Sequence, residues 1–199
     1  MDHAVSRYRD DITRDCWGQF CFIRDADTGA VWSNTFQPSL APYDDYHCIL
    51  SADRAEFRRR DGEIETYTEV VVSPEDDVEV RRIAITNHGI SRRTLDLTSY
   101  FEVALAAQGA DQAHRAFSNL FVETEAVPDL DTLLFTRRPR SATEERIWGL
   151  HTLAIDDSLT GAVSWETDRA KFVGRVRRVP NAAALEGGTG LPGTVGPVL

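Results

Sequence analysis

The feature that most constrains the fold is a pair of apolar runs near the N-terminus, separated by a tight turn. Residues 16–23 are rich in aromatic and other apolar side chains, residues 25–29 are turn formers that end in Gly29, and residues 30–33 resume the apolar pattern. Such a pattern predicts two antiparallel strands joined as a hairpin. Large apolar side chains alternate to both sides of the first run, so we expect this strand to be buried on both faces.

Short alternating runs recur along the rest of the chain. Asp61-Gly62 is a strong hairpin signal between residues 55–60 and 63–72, and residues 94–105 alternate as one long strand. The polar connection 106–116 is too short and too weakly periodic to predict a helix. Further strands are predicted at residues 117–124, 131–137, 147–153, 162–167 and 172–175.

These runs amount to about ten strands at the spacing of an antiparallel sandwich. The predicted fold class is therefore all-β, an antiparallel β-sandwich without a firm helix. We assign residues 1–179 to this domain. Residues 180–199 are mostly Ala, Gly and Pro, and they are interpreted as a linker or a disordered tail.

Composition excludes several classes of partner. The net charge of -10 argues against nucleic acid and anionic membrane surfaces, which need a basic face. No stretch approaches the ~20 apolar residues of a membrane span, and residues 1–11 lack the apolar core of a secretory signal. We therefore expect a soluble domain without direct membrane contact.

The cysteines and tryptophans are predicted to serve the core. Cys16, Cys21 and Cys48 are an odd number within strand-like runs, which favours reduced thiols and a cytoplasmic location over disulfides. Their spacing around His47 matches no standard zinc motif, so no metal is expected. The four tryptophans also lie in strand runs and are predicted to be core residues rather than sugar platforms: Trp17, Trp32, Trp148 and Trp165.

The charged segment before the first strand has two interpretations. Its three aspartates could form a carboxylate cluster, or they could be solvated partners of nearby arginines, and the second interpretation is favoured. The residues concerned are Asp10, Asp11 and Asp15 with Arg7, Arg9 and Arg14.

Several collinear motifs carry a family resemblance. They are Tyr-Arg-Asp-Asp at residues 8–11, Asp-x-Trp-Gly at 15–18, Arg-Asp-x-x-Thr-Gly-x-x-Trp-Ser at 24–33, Gln-Pro at 37–38, and the sequences at 72–76, 79–82, 98–102, 116–125 and 174–175. On these motifs the chain resembles the N-terminal β-sandwich domain of glycoside hydrolase family 94, formerly glycosyltransferase family 36. The likeness is greatest to the cyclic β-1,2-glucan synthase branch (NdvB/ChvB type), and it implies a galactose-mutarotase-like super-sandwich.

The resemblance also implies a role within a larger enzyme. Family members carry their catalytic acid in a C-terminal (α/α)6 barrel and use inorganic phosphate as a co-substrate, and the sandwich domain packs against that barrel. We therefore expect this chain to be non-catalytic alone and to have no cofactor of its own. The partners implied are a β-glucan oligosaccharide, the catalytic barrel and a second copy in a homodimer, and the parent could be an inner-membrane protein.

Sandwich domains of this family can lend a loop to the sugar-binding side of the active site. The best candidate loop here is residues 112–118, where polar groups precede a predicted strand. Its predicted sugar contacts are Gln112, His114 and Arg115. Two other interpretations stay open: a stand-alone carbohydrate-binding module and a purely structural dimerisation domain.

Overall fold

Antiparallel sheets are the main regular structure in the computed structural model, which describes residues 3–11, 13, 16–187 and 190–197. About 38% of the described residues lie in strands and 14% in helices, which confirms the predicted all-β sandwich class. The chain divides into two units. One is Phe20–Tyr100, called the central unit here, and the other combines Met1–Gln19 with Phe101–Leu199 and is called the flanking unit.

The central unit holds two antiparallel sheets. The three-stranded sheet has the order β3-β2-β8 and the four-stranded sheet the order β4-β5-β6-β7. Their strands are β2 (Phe20–Asp25), β3 (Val31–Ser33), β4 (Asp45–Leu50), β5 (Ala55–Asp61), β6 (Ile64–Val72), β7 (Glu79–Asn87) and β8 (Leu95–Tyr100).

The first predicted hairpin is confirmed as β2 and β3. The Asp25 side chain accepts hydrogen bonds from the backbone N–H groups of Asp27 (2.9 Å) and Thr28 (3.2 Å), and Gly29 has φ +74°. These contacts form the turn that the sequence predicts. Strand β2 is buried on both faces, since Phe22 and its neighbour Ile23 are 1% and 0% exposed.

The second predicted hairpin joins β5 to β6. Asp61 pairs with Ile64 across a two-residue turn in which Gly62 has φ +60°. On β6 the alternate residues Ile64, Thr66 and Thr68 are buried, as the period-2 pattern predicts. Ile64 packs with Ile23 and Trp32 in the apolar core of this unit.

The flanking unit holds a two-stranded sheet, β1-β9, and a four-stranded sheet, β12-β11-β10-β13. Three short helices and three 3-10 helices, at Pro128–Leu130, Val179–Asn181 and Ala183–Glu186, are described with them. The remaining elements are β1 (Ala4–Ser6), β9 (Val103–Ala106), α1 (Gln108–Ala113), α2 (Arg115–Asn119), β10 (Val122–Val127), β11 (Thr132–Arg137), β12 (Ile147–Thr152), α3 (Arg169–Val173) and β13 (Gly196–Pro197).

Four predicted strands differ from the structure. Residues 94–105 form two strands, because β8 pairs with β2 whereas β9 pairs with β1. Residues 117–119 belong to α2, and residues 162–167 form no strand. Residues 169–173 are helical because Asp168 caps the backbone N–H groups of Ala170 and Lys171, and Gly174 ends the helix with φ +83°.

Two of the predicted core residues are exposed. Trp148 is 57% exposed, because β12 is an edge strand whose other face carries Gly149 against the Phe135 ring. Cys48 is also exposed, on the edge strand β4. By contrast Trp32 and Cys21 are buried, and burial raises the pKa of the Cys21 thiol to about 12.

Part of the predicted linker packs within the flanking unit. Ala182 and Leu185 are buried, and Gly196 pairs with Thr124 of β10. Residues 188, 189, 198 and 199 of this segment lie outside the described residues. The proposed limits of 1–179 and 180–199 stay a prediction.

Arg59 is fully buried in the central unit, and we predict that lysine cannot replace it. Its guanidinium binds Asp61 through two N–H groups at 2.8 Å and donates to the carbonyls of Thr35 (3.2 Å) and Pro42 (3.1 Å). An ammonium group lacks this planar set of donors. We expect Arg59→Lys to lower the free energy of unfolding by about 3 kcal/mol in urea titrations.

The matched control is Arg58→Lys, one residue away on the opposite face of β5. The Arg58 side chain is 60% exposed, so its replacement should change the free energy of unfolding by less than about 0.5 kcal/mol. Equal effects of the two substitutions would contradict the assignment of Arg59 as a structural anchor.

Candidate functional site

The three predicted sugar contacts lie in a helical segment rather than in a loop. Gln112 belongs to α1, His114 joins the two helices, and Arg115 begins α2. Gln112 and His114 are exposed, and within the described part of the chain their side chains form no hydrogen bond or ion pair. Arg115 is half-buried and bonded. The segment therefore presents two open polar groups beside a fixed one.

Arg115 is held by the carboxylate of Glu102, which lies between β8 and β9 in the sequence. Only 11% of the Glu102 side chain is exposed. One carboxylate oxygen accepts from Arg115 and from Arg7 (2.8 Å), and the other accepts from Arg169 (2.8 Å). We call the whole group the Glu102 cluster, and its members are Arg7, Trp17, Glu102, Asp111, Arg115, Asn119 and Arg169.

Strand pairing explains why Arg7 reaches Glu102. Ser6 of β1 pairs with Val103 of β9, which places the residues after β1 and before β9 side by side. The Arg7 backbone N–H also donates to the Glu102 carbonyl at 2.7 Å. The hydrogen-bonded pairing of β1 with β9 therefore fixes the position of Arg7, the first arginine of the cluster.

Arg7 also binds both helices. Its Nε and Nη2 donate to the two Asp111 carboxylate oxygens, each at 2.7 Å, and Nη2 donates to the Asn119 amide oxygen at 2.8 Å. Asp111 lies in α1 and Asn119 ends α2. A bidentate pair of this kind is among the stronger hydrogen-bonded contacts in proteins.

The ionisation of the cluster follows from burial and pairing. For Arg7, burial works to lower the pKa, but the bonds to Asp111 and Glu102 outweigh burial and raise it. For Asp111, burial works to raise the pKa, and the bond from Arg7 outweighs burial and lowers it. For Arg115, burial dominates and lowers the pKa of the guanidinium.

Trp17 covers the Arg115 guanidinium. The Arg115 Cζ lies 4.3 Å from the centre of the Trp17 ring, and the Arg9 Cζ lies 5.9 Å from it. These are cation–π distances, and Trp17 is half-buried. Its contact with Arg115 is therefore a specific role beyond the apolar core position that the sequence predicts.

The chemistry of the cluster suits positioning rather than proton transfer. A general acid needs a raised pKa so that it is protonated near neutral pH, whereas pairing lowers the pKa of Asp111. Three arginines face two carboxylates, so the cluster has a charge of about +1. Such a network fixes the helical segment that carries the exposed Gln112 and His114.

Sequence reasoning missed most of the cluster. Arg7 was interpreted as a partner of Asp10, Asp11 or Asp15, but it binds Glu102 and Asp111, and Arg14 and Asp15 lie outside the described residues. Arg7 binds Glu102 and Asp111, which lie 95 and 104 positions further along the chain. Partners so far apart give no recognisable spacing in the sequence. The polar residues Glu102 and Asn119 within the family motifs were the available hint.

Metal-ligand sets and membrane-spanning helices are both absent from the residues that the structure describes. No group of three or more His, Cys, Asp or Glu side chains there is arranged to hold a metal ion. No helix in that part of the chain has the length and apolar character of a membrane span.

Comparison with known proteins gives a consistent result. A family model described as glycosyl hydrolase 94, supersandwich domain, matches residues 1–199. The chain is 35% identical over 193 residues to the cyclic β-(1,2)-glucan synthase NdvB of Rhizobium meliloti (strain 1021), covering 97% of this chain and 7% of that protein.

Two phosphorylases are also similar to the chain. The 3-O-β-D-glucopyranosyl-β-D-glucuronide phosphorylase of Paenibacillus borealis is 29% identical over 85 residues, which is 43% of this chain and 11% of that protein. The N,N′-diacetylchitobiose phosphorylase of Vibrio furnissii is 26% identical over 125 residues, or 62% and 16%. The chain thus spans only a small part of each relative's length.

The ion pair of Asp111 predicts a pH-dependent contribution to stability. Because the folded-state pKa lies below the ordinary value of about 3.9, this contribution is complete above that pH and is lost as the pH falls through the folded pKa. We expect Asp111→Asn to lower the free energy of unfolding by about 3 kcal/mol at neutral pH. In acid, the difference from the original protein should shrink.

Urea titrations across this pH range measure the effect, with the exposed Asp156→Asn as the control. Asp156→Asn should cost less than about 0.5 kcal/mol at any pH. A pH-independent difference for Asp111→Asn would show that its ionised form does not stabilise the fold.

Proposed function

The chain belongs to the glycosyl hydrolase 94 supersandwich domain family, and from this premise we propose that it is the non-catalytic domain of a β-glucan synthase or β-glucan phosphorylase. In this proposal the domain supports sugar binding and the assembly of a catalytic (α/α)6 barrel. Phosphate is then a co-substrate of the parent enzyme rather than a ligand of this chain. The family resemblance seen in the sequence is confirmed.

The observation that carries the sugar-binding part is the way the Glu102 cluster holds α1 and α2. The helices have six and five residues, and neither has a side-chain cap at its N-terminus. Helices this short are not stable alone, so the bonds of Arg7 and Arg115 must hold them. The same bonds hold the segment that carries the exposed Gln112 and His114.

Gln112 and His114 have the chemistry that sugar hydroxyls require. An amide both donates and accepts hydrogen bonds, and a neutral imidazole does the same through its two nitrogens. Sugars are neutral and rich in hydroxyls, so such groups recognise them without a charge match. The names of the similar proteins, a glucan synthase and phosphorylases of glycosides, are consistent with a sugar ligand.

A second observation supports the assembly part of the proposal. The β4–β7 sheet exposes Leu50 (75%) and Val72 (63%) on the same face as Arg59. These residues are the last ones of β4 and β6, at one end of the sheet. Exposed apolar patches on a sheet commonly mark interaction surfaces. We propose that the catalytic barrel or a second copy of the chain covers this end of the sheet. The second case is the homodimer that the family resemblance implies.

We predict weak binding of a short β-1,2-linked gluco-oligosaccharide by this chain. One wall of a pocket yields little free energy beyond the cost of association, so the Kd should be on the order of 1 mM. Amide shifts in a nitrogen-15 NMR titration should include residues 112–115. The double variant Gln112→Ala with His114→Ala should lose those shifts.

The control is Gln108→Ala, an exposed glutamine on the same helix, which should leave the shifts unchanged. A titration in which residues 112–115 do not respond at tens of millimolar sugar would refute this site. A micromolar complex would favour the stand-alone carbohydrate-binding module instead.

A further inference from the structure

The central unit has a cleft on the outward face of its larger sheet. The cleft has a volume of ≈ 540 Å³, within the range of small-ligand sites. Its side chains come from alternate positions of β4, β5 and β6, on the face opposite the buried Arg59 and Thr66. The lining residues are His47, Ile49, Glu56, Arg58, Glu65 and Tyr67.

The register of the sheet fixes how these side chains are arranged. Arg58 lies directly opposite His47 on one side and Tyr67 on the other, and Glu56 lies opposite Ile49. Three neighbouring strands span about 10 Å, which is wide enough for a sugar ring and its substituents. A rigid strand face of this kind positions contacts more accurately than a loop does.

The polar groups of the cleft hold one another in place. The Tyr67 hydroxyl donates to Glu56, and Arg58 Nε donates to Glu65 at 2.8 Å. His88 Nε2 lies 3.0 Å from the second Glu65 oxygen. Burial works to raise the pKa of Glu65, but the bonds from His88 and Arg58 outweigh it and lower that pKa.

The lining combines apolar surface with paired charges. Tyr67 and Ile49 contribute an aromatic ring and an aliphatic group, while Arg58 offsets one of the two carboxylates, Glu56 and Glu65. This surface disfavours an anion, and each of its carboxylates is already hydrogen-bonded, Glu56 by Tyr67 and Glu65 by Arg58. It matches a neutral ligand that has C–H faces for packing and hydroxyls for bonding.

We propose that this cleft is a carbohydrate-binding site for a neutral oligosaccharide, separate from residues 112–115. A sugar ring packs on Tyr67 and Ile49, and its hydroxyls bond Arg58 and the two glutamates. The proposal extends the sugar-binding part of the proposed function to a different unit of the chain. An NMR titration that follows the amide shifts of both regions separates the two sites.

The test uses the whole chain and the same probe, a short β-1,2-linked gluco-oligosaccharide. Amide shifts are expected at Glu56, Arg58 and Tyr67, with a binding curve independent of residues 112–115. Tyr67→Ala should weaken this curve about tenfold, since it removes the stacking ring. Tyr67→Phe keeps the ring and should weaken it only about two- to threefold.

Arg82→Ala is the matched control, because Arg82 is exposed on the same sheet face but outside the lining. It should leave the curve unchanged, and an unchanged melting temperature of the Tyr67 variants excludes a folding defect. Shifts confined to residues 112–115, or cleft shifts undiminished in Tyr67→Ala, would overturn the cleft proposal. Shifts confined to the cleft would support it and refute the site at residues 112–115.

Discussion

The candidate site of the flanking unit depends on the largely buried carboxylate of Glu102. This carboxylate joins arginines from three distant parts of the sequence, Arg7, Arg115 and Arg169. Removing one member of a buried ion pair is costly because the remaining charges stay buried without compensation. The network therefore makes one arrangement of β1, α1, α2 and α3 more stable than the other arrangements of these elements. It does so even if apolar residues in its place would give the fold the same total stability.

The low intrinsic stability of α1 and α2 makes the candidate site depend on this network. Helices α1 and α2 are too short to form alone, and they gain their order from Arg7, which binds Asp111 in one helix and Asn119 in the other. Because bonds from other side chains hold this segment, it can carry exposed polar groups that do not themselves stabilise the helices. The cleft of the central unit differs, since the ladder of β4, β5 and β6 positions its residues directly.

The elements that could be predicted from the sequence are those that nearby residues determine. The β2–β3 and β5–β6 hairpins follow from turn residues and alternation within about 20 residues, and both are present. The helix at Arg169–Val173 was also locally marked, by Asp168 before it and Gly174 after it, but its apolar residues were interpreted as a strand. The Glu102 cluster had no local signal, because its bonds join residues that the β1–β9 pairing brings together.

The central claim is that the Glu102 cluster orders the segment that presents Gln112 and His114. Amide hydrogen exchange of a Glu102→Gln variant tests it most directly, because the substitution keeps the shape of the side chain and removes its charge. The account predicts faster exchange in α1 and α2, with exchange in β6 of the central unit unchanged. Exchange in α1 and α2 as slow as in the original protein would contradict it.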